Sequence, residues 1–578
     1  MYHASGILLP LLLLLTTAVD GHWIVPRTSD RCRSIPGDAS WPSPADWVAL
    51  NKTVGGRLIA TIPIGAPCHT SFSPFTGTKI STYDKEECNA LRNEWFLPET
   101  HLSSSSSPMA YSFSNNSCNP WLEPDVPCTI GDHVVYAINA TGPRDIQQGL
   151  GFTRDHNIRL VIRNTGHDYL GRSNGAHALA IWTHNMKSID LVEYNSANDT
   201  GSAVKVGAGV HVIDAYTFAN LHGLVVVGGN CPTVGLAGGY SQGGGHGPLA
   251  STHGLGADQV LEWEVVTTNS KLLTANSTHH ADLFWALRGG GGGNYGIVVS
   301  MTVKVFLDTY ASSAYFTVLD NGTNTDTIYE AIGGFLTVLP SIVDAGVYAL
   351  WVVEPAEFFL MPAFVPGLHQ EELDTIMQPA LDIPSTLNLD YQYTSSESST
   401  FLSAYEALTS NWNVSDWNTG GRLIPRDIAS NNTQELVAAI RNIGSRTLFS
   451  GVSFNVKNAV SSPDEVAVNP YFRETLFNVF LGVAVNYTDW PANLAGENEI
   501  TDDLLTPLEA LTPNGGAYMN EADFQQPDFQ SVFYGVHYER LLGIKRAYDP
   551  DDILYVKTGV GSDRWEEQSD GRLCLTSI

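Results

Sequence analysis

The chain has 578 residues and a formal net charge of −30, with 60 acidic residues against 30 basic ones. A surface of that sign repels phosphate backbones and argues against a nucleic-acid partner. Charged residues make up only 16% of the chain and apolar ones 43%, which describes a large packed protein and excludes wholesale disorder.

From the N-terminus, Gly6 to Val19 is an apolar stretch around Leu11–Leu15, with the small residues Ala18 and Gly21 close behind. It is shorter than the ~20 apolar residues a membrane span needs. Residues 1–21 therefore read as a secretory signal, although its start carries only His3 and no Lys or Arg. No later stretch is long and apolar enough to cross a bilayer, so no membrane partner is expected. Asn-X-Ser/Thr sequons recur, among them Asn51, Asn139, Asn198, Asn276, Asn321 and Asn486, and they predict N-glycans on an extracellular protein. The chain has 7 cysteines: Cys32, Cys68, Cys88, Cys118, Cys128, Cys231 and Cys574. An oxidising compartment pairs cysteines, and an odd number leaves one for another task. Sequence does not select the pairing, though Cys118 and Cys128 are close enough to close a small loop.

Residues 22–121 form a Cys-, Pro- and Ser-rich leader with no catalytic pattern, expected to be a disulfide-tied extension packed on the main body. Its serine run, Ser103–Ser107, reads as an exposed loop. From residue 122 the texture changes. Val134–Ala137 and Ile158–Arg163 read as strands and Pro143–His156 as a helix, and short glycine-punctuated elements continue to about residue 308. In 309–510, Ala314–Val318 and Gly346–Val353 read as strands, and Glu371–Met377 and Phe401–Leu408 as helices. Trp351, Tyr391, Tyr393 and Trp412 suit stacking on a ligand, but equally core or sheet-surface packing. Residues 511–578 are again rich in motifs. No internal repeat is visible.

Two clusters carry chemistry. The first, Arg163-Asn164-Thr165-Gly166-His167-Asp168-Tyr169-Leu170-Gly171-Arg172-Ser173, follows a strand directly. Its glycines and small polar residues let backbone N–H groups approach a phosphate, and His167 sits within the turn. The second runs from Gly229-Asn230-Cys231-Pro232-Thr233-Val234-Gly235 through Gly238-Gly239-Tyr240 and Gly243-Gly244-Gly245 to His246-Gly247. A thiolate there is a nucleophile able to add to an electrophilic ring, which gives the odd cysteine a task. The paired Cys spacing of a metal site is absent, so no metal is expected. Gly289–Gly293 is not the G-x-G-x-x-G fingerprint of a nicotinamide-binding enzyme.

Together these clusters resemble the berberine-bridge-enzyme-like branch of the vanillyl-alcohol-oxidase (VAO) flavoproteins, whose FAD-binding domain is of the PCMH type. The likeness extends through Gly254–Val260, Asp282–Gly291 and Asn294-Tyr295-Gly296-Ile297-Val298. It resumes with Tyr518-Met519-Asn520-Glu521, Phe533-Tyr534-Gly535, Tyr538–Leu542 and Lys545–Pro550. It is sharper still with fungal isoamyl-alcohol-oxidase-like proteins, through the leader's Arg31-Cys32-Arg33, Pro36-Gly37-Asp38, Trp41-Pro42 and Ala66-Pro67-Cys68-His69.

The resemblance implies an α+β fold. A two-subdomain FAD-binding domain (122–308) would be followed by a substrate domain with an antiparallel sheet backed by helices (309–510), and the C-terminal segment (511–578) would return to the FAD domain. It implies FAD bonded through His167 to the 8α-methyl and through Cys231 to C6. Arg163, Asn164, Thr165, Gly166, Asp168, Tyr169, Gly171 and Ser173 would contribute to the cofactor site. So would Gly235, Gly238, Gly239, Tyr240, Gly243, Gly244, Ile297, Val298, Tyr518 and Asn520. Thr165 stands where the family has glycine. The family's plant members carry Tyr after the triple glycine, where this chain has His246. Imidazole is the better base between about pH 5 and 7, so His246 is the expected base, with Tyr518 as neighbour or alternate. The implied activity is oxidation of an alcohol carbon with O2 as acceptor. A carbohydrate (oligosaccharide) oxidase, or a secondary-metabolite oxidase or dehydrogenase, is the alternative.

Overall fold

The computed structural model describes residues 32–576 except 75–76, 197–198, 320–324, 355–356 and 409–412. The expected signal segment, Arg31, Asn198, Asn321 and Trp412 lie outside the described residues.

The protein is α+β. A four-stranded sheet is ordered Leu58–Ala60, Tyr136–Asn139, Leu179–Trp182, Leu160–Arg163, the last three strands parallel. Parallel strands need a crossover, and Pro143–His156 supplies one. Proline stands at its first turn, and Asp145 accepts from Thr141 N and Oγ1. Ile146 and Leu150 bury against Ile138, Leu160 and Ile181. The strand itself begins at Tyr136, two residues later than its composition suggested.

The second sheet is antiparallel and centres on Ile297–Leu307, flanked by Val260–Val266 and Thr200–Gly207. The third is a seven-stranded antiparallel sheet. From one edge its strands are Tyr391–Ser398, Ala311–Leu319, Glu357–Pro366, Tyr348–Glu354, Leu448–Ser453, Thr475–Ala484 and Trp417–Pro425. Helices Thr325–Asp344, Gln370–Leu387 and Thr433–Gly444 cover one face of it. Successive side chains of a strand point to opposite faces. Ala349, Trp351 and Val353 therefore join the helix-side core, while Tyr348, Leu350 and Val352 face the other way. Trp351 is thus core, its Nε1 donating to Ser453 Oγ. Tyr393 donates to Asp374, and Tyr391 is half-exposed on the edge strand.

Two local expectations need correction. The helix expected over Glu371–Met377 runs from Gln370 to Leu387, past Pro379 and Pro384. Its apolar stripe of Leu373, Met377, Ala380 and Leu381 is buried in the sheet's core, and that burial overrides the prolines' local preference. The serine run is not an exposed loop: Ser105, Ser106 and Ser107 are buried. The cause is Arg163, whose guanidinium donates to the carbonyls of Ser104, His101 and Ser107.

Disulfides join Cys68 to Cys88, Cys118 to Cys128, and Cys32 to Cys574. The last joins the two ends of the described residues, beside the bidentate Arg572–Asp38 pair. Residues after 511 return to the second sheet's core, where Phe529, Phe533, Tyr534 and Leu541 pack with Val204, Trp263 and Met301. Among the described residues, no helix is long and apolar enough to cross a membrane.

Candidate active site

A cavity of about 580 Å³ lies between the first two sheets and the uncovered face of the third, within the roughly 300–1,000 Å³ of small-molecule and cofactor sites. The turn after strand Leu160–Arg163 forms one wall. Asn164, Thr165, Gly166, His167, Asp168, Tyr169 and Ser173 all line it. Gly166 adopts φ +92°, and a Cβ there would collide with the Arg163 guanidinium. Asp168 locks the turn by accepting from Leu170 N, Ser173 N and Ser173 Oγ.

The glycine-rich segment forms the opposite wall, through Gly235, Gly238, Gly239 and Tyr240. A Cβ at Gly235 would lie 1.8 Å from Asn164 Oδ1, so only glycine lets the two walls approach. Val298, Tyr518 and Asn520 also line the cavity. Asn520 Nδ2 donates to Gly239 O and to Tyr518 Oη, which ties the C-terminal segment to the glycine wall.

Five expected cofactor residues do not line the cavity. Arg163 sits on the far side of the strand end from Asn164 and holds the leader. Gly171 packs against Phe113 and Gly243 against Asn520. Gly244 packs beside Tyr518 and Val468, and Ile297 belongs to the core beneath the first sheet.

His167 and Cys231 meet at one end. Cys231 is the free cysteine among the described residues, and its Sγ is 3.9 Å from His167 Nε2. Burial pushes the His167 imidazole down to about 4, with Glu99 opposing and Arg163 reinforcing the shift; the ring is neutral and its lone pair available. Burial raises the Cys231 thiol, while hydrogen bonds from Thr233 act in the opposite direction.

His246 lines the cavity in contact with a residue that sequence reasoning quoted but did not assign. Its Nε2 is 3.1 Å from both carboxylate oxygens of Glu521. Asn478 Nδ2 donates to the same carboxylate at 2.6 Å. Behind the ring, Tyr348 Oη lies 3.4 Å from Nδ1 and accepts from Asn230 Nδ2. Glu521 is the more open partner, 22% exposed against 7% for His246. Burial raises the Tyr518 phenol, and the Glu521 charge adds to that, which favours its protonated form.

The third sheet supplies the remaining wall. Leu350, Val352, Leu448, Val452 and Phe480 present an apolar floor, with Trp417 and Asp416 at its edge. Burial raises the Asp416 carboxyl.

Three buried polar atoms in the cavity walls lack a protein partner: Asn164 Oδ1, Gln242 Oε1 and Tyr240 Oη. Buried polar groups are nearly always hydrogen-bonded, so the walls keep polar capacity that the protein itself does not use. With glycine walls and two nucleophiles, the residues fit a large, polar, electrophilic cofactor such as FAD. Among the described residues, no cluster of His, Cys, Asp or Glu is arranged to hold a metal ion.

Known proteins point the same way. The family described as FAD binding domain matches residues 135–276, and the family described as Berberine and berberine like matches residues 517–561. The FAD-linked oxidoreductase sor8 of Hypocrea jecorina is 44% identical over 552 residues, covering 95% of this chain and 94% of that protein. The VAO-type flavoprotein MtVAO615 of Myceliophthora thermophila C1 superposes with a TM-score of 0.89 at 36% identity, covering 94% of this chain and 100% of that one. The glucooligosaccharide oxidase of Acremonium strictum, described as carrying a 6-S-cysteinyl, 8α-N1-histidyl FAD, shares the fold at 19% identity. Its TM-score is 0.64, over 74% of this chain and 92% of that one.

Proposed function

The chain belongs to the berberine-bridge-enzyme-like, VAO-type FAD-linked oxidoreductases, and on that premise we propose that it is a secreted oxidase of alcohols with FAD held covalently by His167 and Cys231. The observation that carries the covalent reading is the meeting of a neutral buried histidine with the free cysteine at one end of the cavity. Bound there, FAD supplies the two-electron acceptor for a hydride from the alcohol carbon.

The protein's own residues do the rest. Asn164, Gln242 and Tyr240, which line the cavity and each carry an unpartnered polar atom, would help hold the cofactor. The Glu521–His246 pair takes the proton from the alcohol oxygen. Glu521 stands on the cavity side, and His246 Nε2–H and Asn478 Nδ2–H hold its carboxylate in place. The pair therefore replaces His246 alone as the base. The apolar floor and the Tyr169 and Trp417 rings suit a substrate with an aliphatic or aromatic body. In a disulfide-tied, sequon-bearing chain working outside the cell, dioxygen is the acceptor at hand, and hydrogen peroxide is the second product. We assign 122–308 and 511–578 to the cofactor domain and 309–510 to the substrate domain.

A carbohydrate oxidase is the second reading. Asp416, Asn413 and Trp417 all line the cavity, a set able to hold a sugar. Peroxide release on a panel of aliphatic alcohols, aromatic alcohols and oligosaccharides separates the two. The proposal expects the apolar alcohols to turn over faster by about tenfold, the equivalent of roughly one well-buried apolar contact. Faster turnover of sugars reverses the assignment. Flavin that is reduced by substrate but stays reduced in air for minutes sinks the oxidase.

A further inference from the structure

Thr233 does not line the cavity, yet it touches both residues proposed to hold the flavin. It is 6% exposed. Its Oγ1 lies 2.7 Å from His167 Nε2 and 3.5 Å from Cys231 Sγ. A threonine hydroxyl has one proton to give and two lone pairs to accept with. Suppose it donated to the imidazole. The ring's own proton would then sit on Nδ1, leaving that atom no lone pair for a bond to carbon, and the Cys231 thiol would donate to Oγ1. The opposite direction satisfies both contacts as well, and it alone leaves Nδ1 its lone pair. Nε2–H donates to Oγ1, and Oγ1–H is directed at Sγ.

That assignment frees Nδ1, which has no hydrogen-bond partner among the described residues. Which ring nitrogen is available is set by the bond the other one makes. At the sulfur, burial raises the thiol, and the Thr233 hydroxyl joins the backbone N–H groups of Thr233 and Val234 in opposing that shift. The thiolate is the nucleophilic form of cysteine.

We propose that Thr233 is a positioning residue for both covalent links: it fixes the His167 tautomer that presents Nδ1, and it hydrogen-bonds the Cys231 sulfur as the thiol gives up its proton. The proposal rests on the reading that His167 and Cys231 both bond to FAD. Each link balances with dioxygen as the oxidant. At His167 an N–C bond forms to the 8α carbon, which loses one hydrogen while the imidazole loses one. At Cys231 an S–C bond forms to C6, which loses one hydrogen while the thiol loses one. In each case dioxygen takes both hydrogens with two electrons as hydrogen peroxide. The proton that must leave the imidazole is the one already pointed at Thr233.

The test compares wild-type holoprotein with Thr233→Val, Thr233→Ala and Thr233→Ser. Each is precipitated in acid, pellet and supernatant flavin are measured, and the flavin-bearing peptides are mapped. Loss of the two hydrogen bonds made through the Thr233 hydroxyl predicts about a tenfold fall in linked peptide for Val and Ala. The missing flavin should appear in the supernatant, and thermal unfolding of the variants should stay close to wild type. Thr233→Ser restores the hydroxyl and should attach flavin within about twofold of wild type by the same argument. Full linkage at both residues in Val and Ala overturns the role of Thr233 while leaving the bicovalent reading intact. Serine failing as badly as valine overturns it too, because the methyl and not the hydroxyl would then matter. Wild-type protein without linked flavin overturns the bicovalent reading and this proposal together.

Discussion

On the proposed mechanism, Glu521 sets how the site moves a proton. Its carboxylate accepts from His246 Nε2 and Asn478 Nδ2, and it opens to the cavity more than the imidazole does. General-base catalysis by a placed side chain contributes roughly 10²–10⁴-fold. Glu521→Gln is therefore expected to lower turnover by about 100-fold or more while flavin content and absorbance spectrum stay those of wild type. Turnover within about twofold, below ~0.4 kcal/mol of barrier, would remove Glu521 from the proton path. The sequence made His246 visible because it ends a glycine run in a recognisable family pattern. It did not reveal the partnership, because His246 and Glu521 are 275 residues apart and only the return of the C-terminal segment brings them together. Likewise, motif membership placed Arg163 in the cofactor site. Strand alternation instead turns its guanidinium away, beneath the leader's serine run.

At the scale of elements, strand Tyr348–Glu354 does two tasks with alternate side chains. Trp351 fills the helix-side core, while Leu350 and Val352 form the cavity floor. The two faces respond differently to substitution. Trp351→Ala opens a core cavity and is expected to destabilise by about 3–5 kcal/mol. Val352→Phe narrows the substrate end and is expected to raise KM for bulky alcohols more than for small ones, with a much smaller change in melting temperature. Thermal melts beside steady-state kinetics on two substrate sizes check both; the opposite pattern would mean that the faces have been exchanged. The strand was legible in sequence, since its β-branched and aromatic residues are dense, but both of its faces are apolar and nothing local says which one meets a ligand. Helix Phe401–Leu408 was readable to the residue because it carries its own amphipathic pattern. Gln370–Leu387 was not, because tertiary burial carries it through two prolines.

Across the whole molecule, the chain closes on itself twice. Cys32–Cys574 joins the two ends of the described residues, and the segment after 511 packs into the core of the second sheet while Tyr518, Asn520 and Glu521 complete the cavity. Three disulfides account for six cysteines and leave Cys231 facing the cavity beside His167. The odd count was legible as a cysteine with another task, whereas the Cys32–Cys574 pairing, over a separation of 542 residues, was not. That cysteine carries the central claim, and the most direct test is to denature the purified holoprotein in acid, centrifuge it, and map the flavin-bearing peptides by mass. The account predicts a yellow pellet with one flavin bridging the peptides of His167 and Cys231. Yellow colour left in the supernatant, or flavin on neither peptide, would contradict it.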